Sequence, residues 1–124
     1  MAKKYKDTKR VFLVLPRTKK TLSRQFVLCY DLFPLIYIAK YLNDSGHSVK
    51  LFDCQAKGVP YQKVYDEVSA QRPDAVVIYS TTFMRFEALD MIRSVRDIHP
   101  TASIIVWGVI STRWLRRHLK RFRK

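Results

Sequence analysis

Between Arg72 and Gly108 the chain reads RPDAVVIYSTTFMRFEALDMIRSVRDIHPTASIIVWG, and few folds accommodate such a stretch. Two β-branched runs, at 75–78 and 104–107, enclose a segment in which Phe86, Leu89, Ile92, Val95 and Ile98 recur at helical spacing with charges between them. Strand, turn, helix and strand in that order make a βαβ unit. Arg72-Pro73-Asp74 supplies a helix stop and a turn ahead of it, and its first strand ends in Ser80-Thr81-Thr82. Ligands of open parallel sheets bind beyond the carboxyl ends of the strands, so a site on this fold is expected at Ser80, Thr81 and Thr82 and around Gly108.

The flanking segments repeat the alternation. Val11-Phe12-Leu13-Val14-Leu15-Pro16 is a continuous apolar run closed by proline, which suits a central parallel strand buried on both faces. Residues 17–33 carry four basic side chains, no glycine and no clear period before Phe26, and read as a long first loop with at most a short helical turn. Pro34 suits the first turn of a helix that continues through Leu35, Ile38, Ala39, Tyr41 and Leu42 and ends at Gly46, its left-handed cap. A second strand follows at 49–53 and a second helix at 61–71, with Val64, Val68 and Tyr65 facing inward. Past Gly108, Ser111 or Thr112 is placed to cap a final helix with Trp114, Leu115, His118, Leu119 and Phe122 in one stripe and basic residues elsewhere. Four strand–helix repeats joined by right-handed crossovers predict an α/β fold with a small doubly wound parallel sheet of about four strands. Its parts are a basic arm (1–9), the domain itself (10–112) and a basic helix (113–124). Such sheets commonly have five or more strands, so an edge strand is expected to be missing, its place taken by the arm or by a partner.

The charge divides along the same lines. Of a net +14, residues 1–24 contribute nine Lys/Arg against Asp7 alone, residues 113–124 seven against none, and residues 25–112 eight against nine acids. The excess therefore lies wholly in the ends, where Lys3, Lys4, Lys19, Lys20, Arg113, Arg116, Arg117, Lys120 and Arg121 are candidate contacts to nucleic acid or another anion. Tyr5, Phe26, Trp114 and Phe122 lie among them. With no base-reading motif, such binding is expected to follow the phosphate backbone, as in a ribonucleoprotein; docking on an acidic protein and a simple solvated tail are the other readings.

Little points to chemistry of the chain's own. Cys29 and Cys54 have neither metal-ligand nor disulfide-framework spacing, and His47, His99 and His118 are scattered, so structural roles are expected for all five. Asp53, at the end of the second strand, suits a turn cap or a ligand ribose, the cap being the simpler role. The hydroxyls of Ser80, Thr81 and Thr82 suit a ligand or the local backbone equally. No leader or membrane span is evident, and a cytoplasmic protein is expected.

Taken in order, Leu35-Ile36-Tyr37-Ile38-Ala39-Lys40-Tyr41-Leu42, Gly46-His47-Ser48-Val49-Lys50-Leu51-Phe52-Asp53 and the run from Pro73 to Thr82 resemble the cobalamin-binding domain that precedes the catalytic barrel in cobalamin-dependent radical SAM enzymes. The helix from Glu87 to Arg96 and the strand up to Gly108 continue the likeness, which covers roughly residues 9–109. The resemblance implies a flavodoxin/Rossmann-like sheet whose carboxyl edge holds a corrin ring. A nucleotide-tail pocket would then fall between Ser80, Thr81, Thr82 and Gly108, Val109, with Pro16, Arg17 and Thr18 of the first loop near the ring.

The chain departs from that family in ways that set further expectations. The Asp-x-His-x-x-Gly signature of the methionine synthase branch is absent, Val109 stands where the family pairs two glycines, and a basic helix replaces the fifth strand. There is no Cys-x-x-x-Cys-x-x-Cys cluster, so no iron–sulfur centre and no enzyme activity of its own are expected. The resulting expectation is a non-catalytic cobalamin-binding-like domain that holds a corrinoid for a separate catalytic or scaffold protein, or keeps only the fold. The alternative is a nucleic-acid- or ribonucleoprotein-binding scaffold acting through its basic termini.

Overall fold

A computed structural model of the chain describes residues 8–17, 24–55, 58–81, 84–108 and 112–119, without the side chains of 24–32, 112, 115 and 119. Eight elements alternate: β1 (Arg10–Leu15), α1 (Arg24–Asp44), β2 (Ser48–Asp53), α2 (Tyr61–Gln71), β3 (Ala75–Tyr79), α3 (Arg85–Ile98), β4 (Ser103–Trp107) and α4 (Thr112–Leu119). The four strands form one parallel sheet in the order β2-β1-β3-β4. It is the doubly wound α/β sheet that the alternation predicts.

β1 is buried from Val11 to Leu15, as a central parallel strand must be. Its alternate residues serve two cores. Phe12 and Val14 join Phe52, Val76 and Ile78 beneath Val64 and Val68 of α2 and Ala88, Met91, Ile92 and Val95 of α3. Val11, Leu13 and Leu15 join Val77 and Tyr79 beneath Leu35, Ile38, Ala39 and Leu42 of α1. Helices α2 and α3 thus cover one face and α1 the other. β4 differs, because Ile105 and Trp107 share the α1 side of the sheet yet remain 49% and 41% exposed.

The first loop is shorter than the sequence suggests. Helix α1 starts at Arg24, ten residues before Pro34, and the proline lies inside it. An interior proline has no N–H for the carbonyl four residues back, so the helix runs on without that bond. The ten residues that precede Pro34 show no polar side on which a helical period can be read. From Phe33 onward the helix is apolar on both sides: Leu35 is buried while Phe33, Ile36, Tyr37 and Tyr41 are exposed.

The ends of the elements follow backbone chemistry. Gly46, at φ +95°, terminates α1 in the left-handed region. Arg72 takes that region at the end of α2 (φ 48°, ψ 63°), ahead of Pro73, which disfavours a right-handed helical residue before it. Asp74 ties three strands together: its carboxylate accepts from Arg10 N–H (2.8 Å), its N–H donates to Arg10 O (2.8 Å), and its carbonyl accepts from Ser103 N–H (3.0 Å).

Gly108 follows β4 at φ +134°, and a methyl group there would overlap the Ser80 carbonyl oxygen. Gly58, also in the left-handed region (φ +62°), has open space around its Cα. Gly108→Ala should therefore cost at least ~2 kcal/mol, combining backbone strain with a clash against main chain. Gly58→Ala should cost about 1 kcal/mol, the conformational term alone. Urea unfolding of both variants checks the difference.

Candidate functional site at the carboxyl edge

Chain direction locates the crevice. β1 leads into α1 on one face of the sheet, β3 leads into α3 on the other, and the two strands are neighbours. Adjacent loops that depart to opposite faces leave a gap between them, and this is the switch point at which open α/β sheets take ligands. Its walls are Pro16 and Arg17 after β1 and Ser80 and Thr81 after β3.

The loop after β1 is held in place by a tyrosine 44 residues away. Tyr61, the first residue of α2, accepts from Arg17 N–H (2.8 Å) through its hydroxyl and donates that hydroxyl to Arg17 O (3.2 Å). The Arg17 guanidinium reaches sideways, Nε donating to Cys54 O (3.3 Å). Asp53 caps the turn after β2 by accepting from Gln55 N–H (3.0 Å). Burial pushes the Tyr61 phenol up to about 12; the bond with the Arg17 backbone opposes this, and the charges of Cys54, Glu87 and Tyr65 add to it. Burial likewise pushes the Cys54 thiol up to about 11, with Asp53 adding and Arg17 opposing.

Glu87 lies in the first turn of α3, is only 8% exposed, and its Oε2 has no hydrogen-bond partner among the described residues.

The residues expected to form a tail pocket are arranged more tightly. Ser80 is fully buried; its hydroxyl donates to Thr81 O (3.0 Å) and its N–H to Trp107 O (2.9 Å). Gly108 packs on the Ser80 carbonyl, so the main chains close the gap between β3 and β4. The glycine here packs on strand backbone. Thr18, Thr82 and Val109 fall outside the described residues, as do Lys3, Lys4, Lys19, Lys20, Lys120 and Arg121.

Two of the three histidines stand at the opposite edge of the sheet. His47 Nδ1 accepts from Lys9 N–H (3.0 Å) and the His99 ring bonds Pro73 O through Nε2 (2.9 Å), both at the amino end of the sheet. His118 Nδ1 pairs with Trp114 O (2.8 Å) and its ring stacks on that indole. Trp114 also meets Phe86 edge-on at 5.7 Å, so α4 sits on the start of α3 with Arg113, Arg116 and Arg117 exposed. No group of three His, Cys, Asp or Glu capable of holding a metal occurs among the described residues, nor any helix long and apolar enough to cross a membrane.

Tyr61 and Cys54 were not singled out by the sequence for this site. Tyr61 opens a helix, where a sequence shows a capping or packing position, and only the fold brings it beside Arg17. Their chemistry is testable through pH. The native state holds the Cys54 proton from pH 9 to about 11, where an unfolded thiol would release it, so the neutral thiol's contribution is complete below pH 9 and is lost as pH rises through 11. The stability difference between wild type and Cys54→Ala should shrink over that window in urea titrations.

No protein-family model and no curated protein matches the chain. Among solved structures it is similar to the cobalamin-dependent S-adenosylmethionine radical enzyme OxsB, whose structure has aqua-cobalamin bound. The TM-score is 0.60 at 18% identity over 94% of this chain, which corresponds to 16% of the OxsB chain. At that identity the likeness is one of fold: the protein has the flavodoxin/Rossmann-like α/β architecture of a segment of that enzyme.

Proposed function

We propose that the protein is a non-catalytic cobalamin-binding-like domain that holds a corrinoid at the carboxyl edge of its sheet for a separate catalytic partner. The observation that carries this reading is the β1–β3 crevice on a fold shared with a cobalamin-dependent enzyme. Arg17 and Thr81 would line the ligand. A bound corrinoid supplies cobalt-centred chemistry. The chain's own part would be to hold and orient the ring. A partner is suggested by the exposed Phe33, Ile36, Tyr37 and Tyr41 along α1, which exceed the scattered apolar residues of an ordinary surface.

Incubation with hydroxocobalamin followed by desalting tests this. A corrin absorption band co-eluting with the protein is expected; a colourless protein fraction overturns the reading.

The exposed Arg113, Arg116 and Arg117 on α4 favour a second reading, in which the basic ends bind nucleic acid through phosphates. Each neutralised phosphate contributes about 0.9 to the log–log salt slope on duplex, so replacing all three with alanine should flatten the slope by up to about 2.7. Fluorescence anisotropy of a labelled duplex between 50 and 200 mM salt reads the change, and an unchanged slope removes α4 from the interface.

A further inference from the structure

The hydrogen-bond ladder between β1 and β2 stops one step short of the crevice wall. In a parallel pair the bonds pass back and forth between the strands at even steps. The last of them here runs from Cys54 N–H to Leu15 O (3.1 Å), and the next would run from Arg17 N–H to Cys54 O. That bond is replaced by three others. Cys54 O accepts from Arg17 Nε (3.3 Å), Arg17 N–H donates to the Tyr61 hydroxyl (2.8 Å), and the hydroxyl donates its proton to Arg17 O (3.2 Å).

A half-buried tyrosine needs only one partner for its hydroxyl, and water can be that partner. Tyr61 takes both main-chain groups of a single residue, the second beyond β1. One phenol thus stands where a neighbouring strand would stand, and it does so where β2 has already ended at Asp53. The backbone at Arg17 has two acceptors for its N–H within the same few residues, Cys54 O along the ladder and the phenol oxygen off it. The side chain of residue 61 decides between them.

We infer that Tyr61 is a positioning residue of the crevice: its hydroxyl holds the loop after β1 off the β2 ladder and so fixes the wall against which a corrinoid is seated. The inference rests on the corrinoid reading of the same crevice. A wall held in place before the ligand arrives needs no ordering on binding, which is the ordinary source of affinity in a preformed site. Phenylalanine at 61 keeps the ring and removes both bonds. Arg17 N–H then turns to Cys54 O, the pinned arrangement becomes a minority, and apparent affinity falls by the fraction lost.

The test uses wild type, Y61F and a control, Y65F, whose ring lies 6.5 Å from that of Tyr61 on the same helix. Each is titrated with hydroxocobalamin, and amide hydrogen exchange is followed by NMR in the free proteins. Y61F should bind about tenfold more weakly than wild type, the effect of two neutral hydrogen bonds, and Y65F should bind as wild type does. In free Y61F the Arg17 amide should exchange about tenfold faster relative to that of the fully buried Leu13 in β1, because the opening is local. Equal acceleration at Arg17 and Leu13 marks a hydroxyl that stabilises the whole fold and overturns the inference. An equal loss of affinity in Y65F also overturns it. Equal affinities of wild type and Y61F overturn it while leaving the corrinoid reading intact, and failure of wild type to bind hydroxocobalamin overturns both.

Discussion

Burial of β1 on both faces is the constraint from which the remaining architecture follows. A strand reading Val-Phe-Leu-Val-Leu has no side to give to water, so helices must cover the sheet above and below. Covering both faces with one chain obliges successive crossovers to leave in opposite directions, and this happens between β1 and β3. The crevice is thus a consequence of the core. Arg17 and Thr81 flank it because each is the second residue beyond one of two adjacent buried strands.

The carboxyl edge shows that neighbouring gaps on one sheet need not be equivalent. Between β3 and β4 the main chains approach until Gly108 rests on the Ser80 carbonyl, and the fully buried Ser80 spends its hydroxyl on Thr81. Between β1 and β3 the loops diverge, and the loop after β1 is pinned by a phenol that both donates to and accepts from its backbone. A glycine at a strand end can admit a ligand or another strand's backbone, and here its neighbour is a backbone.

The strands were legible in the sequence because their signal is local. Four short apolar runs bounded by Pro, Gly or Asp lie within a residue or two of their places in the structure, and Gly46 ends α1 as expected. The first half of α1 was not legible. Helical periodicity is a contrast between faces, and residues 24–33 offer almost none; Pro34 then read as a beginning when it is an interior residue. The site was legible only to the level of its edge. Ser80, Thr81 and Arg17 follow from where strands end, whereas the Tyr61–Arg17 and Arg17–Cys54 bonds join residues 44 and 37 apart and depend on how α2 is laid over the sheet.

The open side of the molecule and its charge bear on each other. β4 is an edge strand with Ile105 and Trp107 half-exposed, and α1 carries Phe33, Tyr37 and Tyr41 outward, features that invite association. A formal charge of +14 on 124 residues opposes association between copies of the same chain, since every approach brings like charge together. The opposition is selective. It weakens with salt and would reverse for an acidic surface.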